Sequence, residues 1–369
     1  MEEEMKRTPL FAEHERLGAK MVVFGGWEMP VYYSTLMDEH NTVRSAAGLF
    51  DTSHMGEIIV TGSEAEQLLE KVMTRKIKGA ANGSMHLSVM CNEKGGIIDD
   101  CTVYKFGAEK FMVVVNAGTR EKDFRWIDLQ ARKQNLDAEV VQASDFFGKL
   151  DLQGPNAEKI LGKCIANGTD LKKLHYYYFL ETELFGVPAI VSRSGYTGEE
   201  GFELYFPRDK TVFIWQRLFE AGKEFGLKPC ALGCRDTLRL ECAYMLYGND
   251  IDEQHSPIEA TYEWVVSFDK DFIGKKALSE QKMAGLSRKL VGFEMIDKAI
   301  ARHGYKCIKD DRKIGIVTSG SYSPTLKKNI GLAYIEAPYA EKGGEFEVEV
   351  RENNYNAIVV SIPFYKRGR

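Results

Sequence analysis

The spacing of apolar residues in the first third of the chain predicts several helices. In the segment 34–47 apolar residues recur at helical intervals, and Gly48 follows as a stop. Downstream, the sequence SEAE begins a second helix with a capping box formed by Ser63 and Glu66. Thr119 is expected to cap a third periodic segment that runs to about residue 134. These helices alternate with shorter segments of a different period.

Alternation of apolar and polar residues predicts strands between the helices. The segments HLSVMC and IIDDCTVYK flank the turn NEKGG, where Gly95 and Gly96 are expected to supply the positive φ angles of a hairpin. The order of strand, helix, hairpin and helix recurs from KLDLQGP onward, with a hairpin near Gly186 and helices at 210–225 and near 235–244. This repetition predicts an α+β body built as two related lobes.

The pattern changes again near Lys289, where short alternating strands are separated by Gly, Asn and charged turns. These strands are KLVGFEMI, KIGIVTSGSYS, NIGLAYIE, GEFEVEVRE and NAIVVSIPFY. Such a series is typical of a small antiparallel barrel or sandwich. The segment between Tyr247 and Lys276 is expected to be a connecting loop region.

Composition narrows the classes of protein that the chain can represent. It has 369 residues, 44% hydrophobic and 28% charged, which favours two or three globular domains. The longest apolar run, near 111–115, is too short to span a bilayer, and the acidic start MEEE does not resemble a presequence. We therefore expect a cytoplasmic protein with no membrane partner. A net charge of −5 gives no overall field that would attract nucleic acid.

The sequence lacks the motifs of several common enzyme classes. Its seven cysteines include no C-x-x-C pair, so zinc and dithiol chemistry are not indicated and no metal is expected. The chain also lacks G-x-G, the Walker loop, H-E-x-x-H and G-x-S-x-G. The remaining candidates are carboxylates and aromatic residues beside glycine-rich turns.

Two adjacent carboxylates, Asp99 and Asp100, precede an apolar strand. Neighbouring side chains of a strand face opposite ways, so the two carboxylates cannot serve one site equally. Asp100 falls on the same face as Thr102 and Tyr104. Considered alone, the pair is more typical of a turn than of a catalytic site.

Another carboxylate, Glu203, stands between Phe202 and Leu204 in SGYTGEEGFELYF. A carboxylate among aromatic residues is costly to bury unless it is paired. A flat heterocycle with an N–C–N edge would pair with it bidentately while stacking on Tyr196. An edge-strand Glu203 exposed to water is equally compatible with these residues.

Three further residues have both structural and functional interpretations. Arg235, in CRDTLRLE, can pair with Asp236 on a helix surface or bind a ligand carboxylate as a planar fork. His54, in DTSHM, is expected to be a packed structural residue rather than a general base. Met55 is expected to fill the core or to form a pocket wall.

Taken together, several collinear segments resemble the T proteins, or aminomethyltransferases, of the glycine cleavage system. The resemblance runs from about Arg7 to Tyr365. The segments that carry it are RTPLFAEHERLGAKMVVFGGWEMPVYY, AAGLFDTSHMGEI, MCNEKGGIIDDCTVYK, LDLQGP, SGYTGEEGFE, GCRDTLRLE, DFIGKKAL and GIVTSGSYSPTL.

The resemblance implies an α+β fold arranged as a three-domain cloverleaf. Two related α+β lobes would surround a folate channel over residues 1–280, with the segment 50–140 inserted as one lobe, and an antiparallel β-barrel would occupy 285–369. The implied reaction transfers an aminomethyl group from the lipoyl arm of a partner H protein to tetrahydrofolate. Tetrahydrofolate is the acceptor substrate, and the products are 5,10-methylenetetrahydrofolate, ammonia and the dihydrolipoyl carrier.

The resemblance also assigns residues to the site. Asp100 matches the family's essential carboxylate beside the reacting folate nitrogens, which leaves Asp99 as a turn or structural residue. Glu203 matches the carboxylate that binds the pterin edge, and Arg235 matches a ligand-binding arginine. The other matched pocket or channel positions are Met55, Asn116, Tyr176, Tyr196, Trp264 and Tyr365.

Three positions depart from the family's pattern and leave alternatives open. Leu87 replaces an expected folate-contacting tyrosine, Thr52 an expected valine, and Asp151 a small apolar residue; a buried Asp151 would need a partner. One alternative is a tetrahydrofolate-dependent enzyme of the same fold that uses a small methylated donor. Another is a non-catalytic folate-binding protein, which the presence of Asp100 disfavours.

Overall fold

The computed structural model describes residues 5–368, so the MEEE segment considered above lies outside the described residues. In chain order the strands are β1 (Lys6–Arg7), β2 (Lys20–Phe24), β3 (Trp27–Tyr32), β4 (Ala47–Asp51), β5 (Gly56–Thr61), β6 (Met85–Cys91), β7 (Ile97–Lys105), β8 (Lys110–Val115), β9 (Glu139–Gln142), β10 (Phe147–Gln153), β11 (Phe179–Leu184), β12 (Val187–Ser192), β13 (Gly201–Pro207), β14 (Leu227–Pro229), β15 (Arg288–Met295), β16 (Lys306–Lys309), β17 (Arg312–Ser323), β18 (Lys328–Glu336), β19 (Glu345–Val350) and β20 (Asn353–Val360). The helices are α1 (Phe11–Arg16), α2 (Leu36–Ser45), α3 (Ala65–Val72), α4 (Arg120–Lys133), α5 (Ala157–Leu161), α6 (Thr211–Gly222), α7 (Leu232–Glu241) and α8 (Lys275–Ala284).

The chain divides into two compact units, each of which is assembled from separate segments. The first unit holds the chain up to Leu69 together with Ile77–Leu87 and Cys101–Asp236. The second unit holds Glu70–Lys76, Ser88–Asp100 and the chain from Thr237 onward.

A six-stranded sheet with the order β11-β12-β13-β10-β4-β14 organises the first unit. Along β10 and β13 the apolar side chains alternate with polar ones, so Leu152, Phe202 and Leu204 share one face and are fully buried. That face forms a core with residues of α5 and α6, among them Trp215. Burial of each such side chain stabilises the fold by about 1.5–3 kcal/mol. The opposite face carries polar residues.

The first unit also contains a three-stranded sheet near the N-terminus, with the order β1-β3-β2. The sequence patterns above did not predict it. Part of the reason is that β1 is only two residues long. A second reason is that β2 buries no residue fully, so its alternation is weak.

The predicted hairpin of β6 and β7 is confirmed, and these strands belong to a five-stranded sheet with the order β6-β7-β8-β5-β9. Of its two turn glycines, Gly95 has the expected positive φ, +85°. The expectation is wrong for Gly96, whose φ lies outside the positive range. Position 96 instead requires glycine because there is no room for a side chain: a Cβ there would lie 1.9 Å from the carbonyl oxygen of Glu253.

The predicted end of the first helix is wrong. The helix α2 stops at Ser45, and Gly48 lies inside the strand β4 rather than terminating a helix. A Cβ at Gly48 would come within 2.6 Å of both the Cys230 Sγ and the Val43 Cγ2. Gly48 therefore allows close packing of a buried strand, which a pattern of helical periodicity does not reveal.

Two predicted helix caps are replaced by other hydrogen bonds. The Ser63 Oγ donates to Asp137 at 2.6 Å, and Glu66 accepts from the Lys105 ammonium, so the expected capping box is wrong. The Thr119 side chain makes no capping bond to α4, and its hydroxyl donates to the main-chain oxygen of Asn116 at 3.0 Å. The partners of Ser63 and Glu66 are distant in sequence, and such bonds replace local ones.

A closed antiparallel barrel with the order β15-β18-β17-β16-β19-β20 forms most of the second unit. Its interior is filled by alternating apolar residues, among them Phe293, Val317 and Ile335. This confirms the predicted α+β class with a C-terminal antiparallel β-barrel, and it excludes the sandwich alternative. The expected boundaries at 1–280 and 285–369, and the inserted lobe at 50–140, remain predictions.

The segment between Tyr247 and Lys276 connects α7 to the barrel largely as loop, with a 3-10 turn at Glu263–Val265 before α8 begins. The predicted connecting region is therefore confirmed. Across residues 5–368, every helix falls short of the length and apolar character that crossing a membrane requires.

Candidate functional site

Polar side chains of β10 and β13 gather on the sheet face opposite the apolar core. Lys149 and Asp151 alternate with the buried leucines of β10, and Glu203 and Tyr205 alternate with the buried apolar residues of β13. The antiparallel register places Asp151 opposite Glu203, and Lys149 opposite Tyr205. The strand period of two therefore separates a core face from a charged face within the same segments.

Glu203 is held by two tyrosines. The Tyr205 hydroxyl donates to the Glu203 Oε2 at 2.8 Å, and the Tyr104 hydroxyl donates to the same oxygen at 3.1 Å. The other carboxylate oxygen, Oε1, has no hydrogen-bond partner within residues 5–368. β13 is an interior strand and the Glu203 side chain is only 16% exposed, so the interpretation as an edge-strand glutamate in water is wrong.

Both tyrosines that orient Glu203 stay protonated at neutral pH. Burial, together with the nearby Glu203 charge, raises the pKa of Tyr104 and Tyr205 well above the ordinary value. The Tyr104 hydroxyl also lies 3.0 Å from the Ser192 hydroxyl and 2.9 Å from that of Tyr205. The arrangement fixes one oxygen of Glu203 and leaves the other able to accept from a ligand.

Arg235 joins the same cluster from α7. Its Nη1 donates to the Asp151 Oδ2 at 2.8 Å, so the expected surface pair with Asp236 is wrong. The guanidinium lies over the rings of Tyr196 and Phe50, at 5.2 and 5.6 Å from their centroids. The structure therefore brings together Glu203, Arg235 and Tyr196, which the resemblance assigned to ligand binding.

Asp151 is fully buried and has the partners that its burial requires. Its Oδ1 accepts from the Lys149 Nζ at 2.7 Å and from the Thr52 hydroxyl at 2.9 Å. Burial acts to raise the pKa of Asp151, but the charges of Lys149 and Arg235 outweigh it and hold the pKa below the ordinary value. Thr52 and Asp151, two of the departures noted above, thus form a single hydrogen-bonded unit.

The remaining predicted residues of the first unit have varied environments. Met55 is partly buried and packs against the cluster of Tyr104 and Tyr205. Asn116 accepts a main-chain hydrogen bond from Thr119, just after β8. Tyr176 is 57% exposed and makes an edge contact with Tyr177.

His54 is buried, and burial lowers its pKa to about 4, so the imidazole is neutral at physiological pH. Its ring makes an edge contact with Phe24, with centroids 5.8 Å apart. This environment agrees with the structural interpretation of His54.

The second unit contains Asp100, Trp264 and Tyr365. The Asp100 Oδ2 accepts from the Tyr262 hydroxyl at 3.0 Å, and the carboxylate is partly exposed. Asp99 and Asp100 both lie inside β7, so the turn interpretation is wrong, and Asp99 is fully buried. Within β7 the two carboxylates therefore have different burial, as the alternation predicted.

The other two residues of that unit differ in exposure. Trp264 is 61% exposed and lies under the Arg75 guanidinium, 5.4 Å from the ring centroid. Tyr365 is partly buried, and its main-chain nitrogen donates to the Glu241 oxygen at 2.7 Å.

Four residues that contact Glu203, Asp151 or Asp100 directly were not predicted as site residues. They are Tyr104, Lys149, Tyr205 and Tyr262. Period-two alternation from Glu203 would have found Tyr205, and alternation from Asp100 placed Tyr104 on its face without assigning it a role. Alternation from Asp151 would likewise have placed Lys149 on the same face, two residues away. Tyr262 carries no local signal, because its partner Asp100 is distant in sequence.

One buried group has side chains of the types that bind metals. The ligand atoms of Glu39, Cys230 and Cys234 lie within 4.8 Å of one another. However, the Glu39 carboxylate already accepts from the main-chain nitrogens of Tyr33, at 2.6 Å, and of Ala231, at 3.0 Å. Burial also raises the pKa of the Cys230 thiol well above its ordinary value. These contacts explain the group as support for the starts of α2 and α7, and the expectation of no metal remains a prediction.

Comparisons with known proteins agree along the full chain. A family model described as the GCVT N-terminal domain matches residues 10–270, and one described as the glycine cleavage T-protein C-terminal barrel domain matches residues 288–366. A protein named aminomethyltransferase from Thermoanaerobacter pseudethanolicus (strain ATCC 33223 / 39E) is 46% identical over 366 residues, covering 99% of this chain and 98% of the relative. Another of that name, from Geobacillus sp. (strain WCH70), is 48% identical over 368 residues and covers 99% and 100%.

A solved structure supports the same assignment. The crystal structure of glycine cleavage system aminomethyltransferase T from Bartonella henselae matches with a TM-score of 0.92 at 32% identity, covering 98% of this chain and 99% of that one. Because the two family models, the full-length relatives and this structure agree, the chain belongs to the aminomethyltransferase family of glycine cleavage T proteins.

Proposed function

We propose that this protein is the aminomethyltransferase of a glycine cleavage system, and that it uses tetrahydrofolate as acceptor and a lipoylated H protein as carrier. The C–S bond between the lipoyl sulfur and the aminomethyl carbon breaks, and that carbon becomes bonded to folate N5 and N10. Ammonia leaves, and the lipoyl arm is released as the dithiol. The observation that carries this proposal is Glu203, a carboxylate of a T-protein family member that is fixed through one oxygen and open at the other.

Glu203 binds the pterin ring in this proposal. Its free Oε1 accepts from the N–C–N edge of the ring, because Oε2 already accepts from both tyrosines. Tyr104 and Tyr205 hold the carboxylate before the ligand arrives. Such prior orientation lowers the entropic cost of binding.

Arg235 binds an acceptor oxygen of the folate. A guanidinium offers five N–H donors in a planar fork, and Asp151 occupies only the Nη1 end. The ring of Tyr196 lies on its face and offers an aromatic surface beside it. Met55, Asn116 and Tyr176 are assigned to the walls of the same folate site by the family resemblance.

Asp100 acts on the reacting nitrogens. The carboxylate stabilises the positive charge that develops as ammonia departs, which is electrostatic stabilisation of a transition state. The Tyr262 hydroxyl bonds one of its oxygens and fixes the side chain. Trp264 and Tyr365 are the other residues of the second unit that we assign to the ligand site.

The alternative one-carbon donor was motivated by Asp151 and Leu87, and the contacts of Asp151 remove one of these two reasons. Asp151 raised the possibility of a different substrate, but both of its oxygens are occupied by Lys149, Thr52 and Arg235. The carboxylate is therefore explained by pairing within the protein. Leu87 remains a difference that the contacts do not explain.

The central experiment replaces Asp100 with asparagine, which preserves shape and removes charge. We expect Asp100→Asn to bind tetrahydrofolate normally but to form methylenetetrahydrofolate and ammonia from aminomethylated H protein about 10²–10³-fold more slowly. Asp252→Asn is the matched control, because this carboxylate of the same unit bonds His255 at 2.7 Å and has no assigned role in the site.

The outcome separates catalysis from binding. Asp252→Asn should retain wild-type turnover, and Tyr262→Phe should lose only several-fold because it removes the hydrogen bond that orients Asp100 but keeps the carboxylate charge. Wild-type turnover by Asp100→Asn would contradict the proposed role. A wild-type protein that binds folate but transfers nothing from the carrier would contradict the proposed reaction.

A further inference from the structure

Two carboxylates face each other across adjacent strands. Asp151 in β10 and Glu203 in β13 are register partners, so their side chains project from the same face of the sheet. Directly opposed like charges destabilise a pair of strands. The Asp151 side chain is fully buried and that of Glu203 is 16% exposed, so water screens their repulsion weakly.

Two cations compensate this repulsion. The Lys149 Nζ lies 2.7 Å from the Asp151 Oδ1 and 3.5 Å from the Glu203 Oε2, which places it between the two carboxylates. The Arg235 Nη1 lies 2.8 Å from the Asp151 Oδ2. Two anions and two cations therefore form a cluster with no net charge.

The four charged groups differ in how many of their hydrogen-bonding atoms already have partners within the protein. Asp151 has both oxygens engaged, and the Lys149 side chain is only 1% exposed. In contrast, the Glu203 Oε1 and the remaining guanidinium nitrogens of Arg235 have no hydrogen-bond partner within residues 5–368. The buried half of the cluster is saturated, and the half assigned to ligand binding retains hydrogen-bonding capacity.

We propose that Asp151 is a positioning residue for folate binding. It holds Lys149 back from Glu203 and fixes Arg235 in one orientation, so that both ligand-binding groups keep their free atoms directed to the folate. This inference rests on the proposed function. Thr52 supports Asp151 through its hydroxyl, 2.9 Å from the Oδ1.

The geometry gives a specific consequence for loss of Asp151. Lys149 would retain Glu203 as its carboxylate partner, and the ammonium would then pair with the group that must bind the pterin edge. Arg235 would lose its anchor at the same time. Removing Lys149 as well would release Glu203 again, so the second substitution should restore the part of the affinity that depends on Glu203, while Arg235 stays without its anchor.

The experiment measures the affinity of 5-methyltetrahydrofolate, which binds without reacting, by titration calorimetry. The variants are Asp151→Ala, Asp151→Asn and the double variant Asp151→Ala/Lys149→Met. We expect both single variants to bind about tenfold more weakly, because each loses the charge that restrains Lys149. The double variant should recover to within about threefold of wild type.

A matched control identifies a merely structural effect. Glu39 is a buried carboxylate of the same unit whose oxygens accept from main-chain nitrogens, so Glu39→Gln should lower the melting temperature without changing folate affinity. If Asp151→Ala behaves like this control, the positioning role is wrong. A double variant that binds no better than Asp151→Ala also overturns it.

The design remains informative if one variant does not fold. Asp151→Asn keeps the shape of the side chain, and the double variant removes a cation together with its anion, which costs less than leaving one of them buried and unpaired. A wild-type protein that binds no folate would overturn the proposed function itself. Wild-type binding with unchanged affinity in Asp151→Asn would overturn only this inference.

Discussion

Arg235 and Arg239 stand one turn apart on α7 and have different environments. The Arg239 side chain is 2% exposed and donates to Asp250 at 2.6 Å, to the Ser319 hydroxyl at 2.9 Å and to the Tyr244 oxygen at 3.0 Å. Arg235 is 14% exposed and bonds only Asp151 within the described part of the chain. The two arginines share a helix but differ in the number of guanidinium donors that remain available for a ligand.

The difference separates a structural arginine from one that can bind a ligand. Asp250, the partner of Arg239, also accepts from Thr318 at 2.5 Å and from Ser319 at 2.7 Å, so this network is saturated. A saturated buried network specifies packing, and removing one member leaves an uncompensated charge. An arginine with free donors in a partly open position can exchange water for a ligand.

The largest expected effect is on the saturated arginine. Arg239→Met should lower the free energy of unfolding by about 3–5 kcal/mol, because Asp250 is left as a buried unpaired charge. Urea denaturation followed by circular dichroism measures this loss. A loss below about 1 kcal/mol would show that the network does not stabilise the unit in this way.

An intermediate effect is expected at Glu57, which is buried and has an oxygen, Oε1, without a partner among residues 5–368. Burial raises the pKa of Glu57 from 4.5 to about 8. Between pH 4.5 and 8 the folded state therefore keeps a proton on Glu57 that the unfolded state has already released. The free energy of unfolding consequently falls as the pH rises through this range.

We expect the free energy of unfolding to fall by about 3 kcal/mol between pH 5 and pH 8, as measured by urea denaturation at each pH. Glu57→Gln cannot titrate and should have a flatter profile, with greater stability than wild type at pH 8. Parallel profiles for the two proteins would mean that Glu57 does not titrate in this range.

The smallest effect on stability, with a clear effect on binding, is expected at Arg235. Arg235→Met leaves Asp151 paired with Lys149, so unfolding should become easier by only about 1 kcal/mol, while folate affinity falls about tenfold. Calorimetric titration and urea denaturation on the same preparation measure both quantities.

The matched control for this substitution is Arg235→Lys, which keeps the charge but not the planar fork and should recover only part of the affinity. If Arg235→Met and Arg239→Met had the same profile of stability and binding, the distinction between the two arginines would be wrong.

The sequence by itself determined those features that depend on local periodicity. Alternation predicted the hairpin at Gly95 and the antiparallel barrel strands, because side chains of a strand face opposite sides of the sheet. The same alternation separated Asp99 from Asp100. The resemblance of collinear segments identified the family, which the comparisons confirmed over the full chain.

Only the tertiary structure decided which charges meet. Arg235 pairs with Asp151 rather than Asp236, and Lys149 stands between two carboxylates, because strand register and helix packing bring distant residues together. The same physical reason explains the replaced caps at Ser63 and Glu66. Pairing energies depend on distance and burial in the folded state, and neither quantity is encoded in the neighbouring residues.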